Sequence, residues 1–176
     1  MAVIRARPIK KKKSPTERRV ALRDSLWSGG GARVWNRNEE DGFATIPRTL
    51  PLIGTLIRVL TKDLDASRAY FDLWGRVYDE GFVDVMDEEE FAASCGYPTS
   101  GRNVRTWRER IAALVALGLV EVKPKGTKKF GYVLLVHPHD AVQRLRKSRK
   151  KEIPEWWWSL FSKRIAEIGA TLRLSA

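Results

Sequence analysis

The residues with the most chemistry to offer lie between positions 99 and 129, and most of them are cations. Arg102, Arg105, Arg108 and Arg110 crowd one short stretch in which Glu109 is the only acid. A guanidinium can donate two hydrogen bonds to the O6 and N7 of guanine, or neutralise a phosphate. Further on, Lys123, Lys125, Lys128 and Lys129 cluster around Gly126. No nucleophile, base and oxyanion donor come together, and no glycine loop of the phosphate-cradling kind is present. An enzyme is therefore not expected, and neither is a cofactor.

The arginines must be positioned by a helix. On a wheel at about 100° per residue, Val104, Trp107, Ile111, Leu114 and Val115 share one apolar arc. Arg102, Arg105, Thr106 and Glu109 fall opposite. Arg108 and Arg110 lie on the flanks, with Asn103 beside Arg110. A merely solvated face mixes acids and bases as pairs one turn apart. Only Arg105 and Glu109 have that spacing, which leaves three arginines without an acidic partner in the helix. Glu109 either accepts from a cytosine amino group or holds Arg105 in place, and the second role is the simpler. Thr99 and Ser100 stand where hydroxyls and free N–H groups at a helix start could hold a phosphate.

The elements around this helix are legible from periodicity and punctuation. Thr49 before Pro51 marks a helix start, followed by Leu52, Ile53, Leu56, Val59 and Leu60 at helical spacing. A second helix is predicted over 66–80, with Tyr70, Leu73, Trp74, Val77 and Tyr78 facing inward and Gly81 as its stop. Residues 82–86 read as a short strand. Asp87 caps a short helix that buries Phe91 and Ala92 and ends at Gly96. After a turn at 97–99, the arginine helix runs from Ser100 to Leu117 and stops at Gly118. Two strands, 119–123 and 131–136, form a hairpin about Gly126. A polar helix follows over 140–150. The last helix starts at Pro154 and carries Trp157, Phe161, Ile165, Ile168 and Leu172 on one face.

This succession resembles the winged helix-turn-helix superfamily over about residues 66–137. The resemblance is carried by Glu90-Phe91-Ala92 before Gly96, by Thr99-Ser100, Val104-Arg105 and Trp107, and by Leu114 through Leu117-Gly118-Leu119-Val120. It implies a mainly α fold with a small β-hairpin wing and flanking helices. It also implies contact with double-stranded DNA, the second helix of the motif entering the major groove. On that reading Arg102, Arg105 and Thr106 face the bases, with Asn103 and Arg110 beside them. Thr99, Ser100, Lys125, Lys128 and Lys129 hold the backbone.

The totals agree with a polyanionic partner. The formal net charge is +12 over 176 residues. Within the first 23 positions Arg5, Arg7, Lys10 to Lys13, Arg18, Arg19 and Arg23 face a single acid, Glu17, and residues 1–40 read as a flexible basic arm. Residues 41–150 would form the DNA-binding domain and 151–176 a C-terminal amphipathic helix. The lone Cys95 excludes an internal disulfide and reads as a small packed residue. No stretch approaches the ~20 apolar residues of a membrane span, and the N-terminus lacks the apolar region of a signal peptide. The expected setting is cytoplasmic, associated with the nucleoid when DNA is bound.

The acids Asp84 and Asp87 to Glu90 suit a helix dipole better than a metal, and should point away from bound phosphates. His137 and His139, without cysteines nearby, are weak zinc ligands. Trp156, Trp157 and Trp158 cannot share one helix face. Either the helix is clamped between the domain and its own tail, or it forms a homodimer through 154–172. Three function classes result: a sequence-specific DNA-binding protein, serving transcription regulation, replication or partition; a protein-binding adaptor using the winged domain and the tryptophan-rich helix; and, third, an RNA-binding protein, for which no aromatic-studded sheet or glycine loop of the common RNA modules speaks.

Overall fold

The computed structural model describes residues 14–27, 34–36, 38–97 and 101–172. The chain divides into two units, Met1–Asp41 and Gly42–Ala176. In the first, α1 spans Pro15–Leu26 and buries none of its residues. It is held by its own start: Ser14 Oγ accepts from the Glu17 N–H at 3.2 Å, and Glu17 Oε2 accepts from the Ser14 N–H at 2.6 Å. This reciprocal box, with Pro15 in the first turn, puts a helix inside the segment expected as a flexible arm.

The second unit contains α2 (Leu50–Thr61), α3 (Ser67–Arg76), β1 (Phe82–Asp84), α4 (Glu88–Ser94), α5 (Asn103–Ala116), β2 (Val120–Lys125), β3 (Lys128–Leu135), α6 (Pro138–Ser148) and α7 (Glu155–Glu167). Short 3-10 turns follow α2 at Lys62–Leu64 and α6 at Lys150–Glu152. The chain is thus mainly helical, with one small three-stranded antiparallel sheet among the described residues. The strand order is β1-β3-β2, with Val83 opposite Val133 and Val122 opposite Val133 on the other side. One apolar core joins α2 to α7 and the inner face of the sheet. No described helix is long and apolar enough to cross a membrane.

Several ends differ from expectation for local reasons. Thr49 does not cap α2 with its hydroxyl; it is fully buried, and its Oγ1 is hydrogen-bonded to His139 Nε2 at 2.8 Å. α3 stops at Arg76, ahead of Gly81, because Val77 turns extended and leads into β1. Tyr78, expected on the buried face, is therefore 81% exposed. α5 starts at Asn103 instead of Ser100. Gly101, at φ +69, holds a left-handed conformation that a right-handed helix cannot run through. Val115, placed in the apolar arc, is exposed, while Trp107, Ile111 and Leu114 are buried.

α7 buries Trp157, Phe161 and Ile165, and ends before Ile168 and Leu172. Trp157 stacks on Phe161 at 4.9 Å and donates its indole N–H to Leu52 O at 2.7 Å. The C-terminal helix thereby shares the core of the second unit.

His139 joins three helices: it sits in the first turn of α6, bonds Thr49 ahead of α2, and packs edge-on against Phe161 of α7 at 5.8 Å. Burial, then the neighbouring His137, lowers its pKa, and Asp140 opposes this weakly. A histidine lowered in the folded state takes up its proton more readily when unfolded. Its contribution to stability is complete above the ordinary value of about 6.5 and is lost as pH falls below it. Melting temperature should therefore fall more steeply between pH 7 and 5 in the parent chain than in His139→Gln. Parallel profiles for the two would refute the assignment.

Candidate nucleic-acid interface

α4 and α5 form the corner that carries the arginines. Asp87 caps α4, its Oδ1 accepting from the Glu89 N–H at 2.8 Å. Phe91 of α4 meets Trp107 of α5 edge-on at 5.8 Å, and Trp107 meets Phe130 of β3 at 6.2 Å. A second tie runs outside the core. Arg108 donates through Nε to both carboxylate oxygens of Glu88, at 3.1 Å each, and through Nη2 to Oε2. The Glu88 side chain is only 7% exposed, so Arg108 compensates a nearly buried charge.

The four arginines of α5 thus have different fates. Arg108 belongs to the corner. Arg110 is turned in: its side chain is 16% exposed, pairs with Glu109 at 3.3 Å, and lies over the Tyr97 ring at 5.6 Å. Arg105 is 80% exposed, with Nε on Glu109 Oε1 at 3.0 Å. Arg102 is exposed at the N-cap of α5 and forms no ion pair among the described residues. The expectation of three arginines without acidic partners therefore shrinks to one. Asn103 and Thr106 are half-buried beside this exposed pair. No side chain caps the start of α5, so its first N–H groups are not satisfied by a cap. Thr99 and Ser100 lie outside the described residues.

The hairpin stands next in the chain. β2 and β3 pair up to Lys125 opposite Lys128, with a bulge between Lys123 and Lys125 around Pro124. There the strands approach so closely that a Cβ on Gly131 would lie 2.2 Å from Lys125 Cβ and 2.6 Å from its backbone nitrogen. Only glycine fits. Of the expected backbone contacts, Lys125 is bound to Asp84 at 2.7 Å and lies over Tyr132, and Lys128 donates to Met86 O. Lys129 is exposed, over the Phe130 ring at 5.4 Å, and Lys123 is exposed without an ion pair among the described residues. The acidic patch does not wholly point away from the cations, because Asp84 holds Lys125 and Glu88 holds Arg108.

The other conspicuous residues have structural employment. Arg76 lies over the Phe91 ring at 4.1 Å and binds Asp72, Glu90 and Ser94, which ties α3 to α4. Among the described residues no three of His, Cys, Asp and Glu assemble as metal ligands. Cys95 is buried; burial, reinforced by Asp72, pushes its thiol up to about 12. No known protein family, curated protein or solved structure matches this chain.

Two outcomes follow. Removing Arg108 leaves Glu88 without its charged hydrogen bonds, which costs about 2 kcal/mol. In urea unfolding, Arg108→Ala and Glu88→Ala should each destabilise, and the double variant by less than their sum; strict additivity would show that the pair is not coupled. Cys95 should react with iodoacetamide at pH 8 about a thousandfold more slowly in the native protein than in urea, because the unfolded thiol returns to about 8.5. Equal rates, followed by mass spectrometry, would contradict its burial.

Proposed function

We propose that this chain is a sequence-specific double-stranded DNA-binding protein built on a winged helix-turn-helix, acting as a transcriptional regulator or as a replication or partition factor. The observation that carries the reading is the sorting of charge on α5. Its N-terminal end presents Arg102 and Arg105 to solvent, Arg105 80% exposed beside Glu109, while Arg108 is engaged by the nearly buried Glu88 and Arg110 is turned in over Tyr97. The order helix, strand, helix, helix, hairpin, with β3 between β1 and β2, supports the winged-helix assignment.

In this reading the first turns of α5 enter the major groove. Glu109 holds the Arg105 side chain through Nε, and the remaining N–H groups of the guanidinium face guanine. Thr106 and Asn103 flank it, and the uncapped N–H groups of α5 meet a phosphate. Lys123 and Lys129 lie along the backbone. Lys125 and Lys128 join them when a phosphate replaces Asp84 and Met86 O as their partners. The basic residues of 1–40 add salt-dependent affinity.

The adaptor reading draws on a different surface. Tyr78, Phe82, Met86 and Leu134 are exposed apolar residues on and beside the outer face of the sheet. A homodimer through α7 would have to use the side bearing the exposed Trp156 and Leu160, since Trp157 and Phe161 are in the core.

Selection from random duplexes at near-physiological salt should enrich one motif. Arg102→Ala combined with Arg105→Ala should lose that preference, each contact being worth about 1–3 kcal/mol of discrimination. Failure of the folded parent chain to enrich any motif would overturn the proposal and favour the adaptor.

A further inference from the structure

Outside residues 1–40, α5 and the hairpin, the densest run of cations lies at the end of α6. From Arg144 to Lys151 the sequence reads RLRKSRKK, without an acid. Both ends of this tract are anchored in the core, by Leu145 on α6 and by Ile153 just after the 3-10 turn. Its cations are therefore displayed from ordered backbone. Arg146 binds Glu155 at 2.6 Å and lies over Trp158 at 5.0 Å, and Arg149 reaches Glu152 at 3.9 Å. Those two acids are thereby engaged. Arg144, Lys147, Lys150 and Lys151 remain exposed.

Helix-dipole stabilisation explains only part of this. Cations in the last turn of a helix are favourable, which accounts for Arg146 and Lys147. Lys150 and Lys151 lie beyond that turn, where they repel their neighbours and gain nothing from the helix. Such crowding is relieved by a polyanion, whose condensed counterions are released on binding. A bilayer is the poorer fit. The apolar side of α6, with Ala141, Val142 and Leu145, is buried in the core and cannot insert between lipids.

The position is fixed relative to the proposed reading helix. Arg144 Nη2 donates to Gly118 O at 3.3 Å, just past the C-terminus of α5. α5 has 14 residues, so Arg102 at its other end is about 20 Å away. We propose that Arg144, Lys147, Lys150 and Lys151 form a second phosphate-binding surface, at the opposite end of α5 from Arg102 and Arg105. It engages nucleic-acid backbone outside the stretch that α5 reads. The phosphates come either from the flank of the same duplex or from a second duplex. This inference rests on the DNA-binding reading for its ligand.

The test compares the full chain with Lys147→Gln, Lys150→Gln and Lys151→Gln combined, and with the three corresponding Arg variants combined. All three positions are exposed, and equal melting temperatures would verify the fold. The slope of log K against log salt on a 40-base-pair duplex should fall by about 2 to 3 in the Gln variant and stay unchanged in the Arg variant. The enriched motif should persist in both. If the loss appears on the 40-base-pair duplex and not on a 12-base-pair one, the flank supplies the phosphates. If capture of a second labelled duplex is lost, a second molecule supplies them. Unchanged slope and unchanged capture overturn the inference, as does loss confined to phosphatidylserine vesicles. The two readings fail separately: no motif from the parent chain, with a slope still lowered by the Gln variant, removes base reading and leaves the phosphate surface standing.

Discussion

The architecture depends on how one indole is packed. Trp107 is fully buried on the inner side of α5, with Phe91 of α4 at one edge and Phe130 of β3 at another. Edge-to-face contacts of this kind add about 0.5–1.5 kcal/mol beyond area burial, and they fix angles as well as distances. The contact therefore sets the rotation of α5 about its own axis. That rotation decides which of its arginines face outward. Arg76, lying over the Phe91 ring, extends the same series of contacts to α3. Four elements are thus oriented by consecutive ring contacts, and the outward face of α5 is a consequence of its inward one.

Once that orientation is set, acids at neighbouring positions sort the cations. Glu88 takes Arg108, Asp84 takes Lys125, and Glu109 is shared between Arg105 and Arg110. The sorting is energetic as well as geometric. Glu88 is almost buried, and a carboxylate in that environment is costly without compensation, so its arginine is not readily lent to a ligand. Asp84 and Lys125 are both substantially exposed, and a pair of that kind contributes little. Lys125 can change partners; Arg108 cannot do so without loss to the fold.

Local signals were the legible part of the sequence. The apolar arc of α5 correctly identified Trp107, Ile111 and Leu114 as core, because helix periodicity and burial coincide there. The box of Ser14 and Glu17 was equally local and would have revealed α1, had the charge of the segment not dominated its reading. Nonlocal contacts were not legible. A wheel places Arg110 on a flank but contains nothing of Tyr97, whose ring draws it inward. Thr49 has the right type and place for a cap; only the fold brings His139, ninety residues later, to its hydroxyl. Gly81 is a strong local stop signal, but α3 ends earlier, at Val77, where the chain turns extended to lead into β1 beside β3.

The three tryptophans show how the same logic governs the C-terminal part. A helix presents successive residues about 100° apart, so one of three adjacent tryptophans can be central to a buried face and its neighbours must diverge. Trp157 takes the centre and anchors α7 to α2 through Leu52 O. Trp158 is half-buried, beside Phe161 and beneath Arg146. Trp156 is left outside. Arg146 is thereby consumed in fastening α6 to α7, with Glu155 as its acid. This fastening also fixes the 3-10 turn between the two helices, and with it the backbone that displays Lys150 and Lys151. The rigid placement of those charges is a by-product of how one aromatic run had to be folded away.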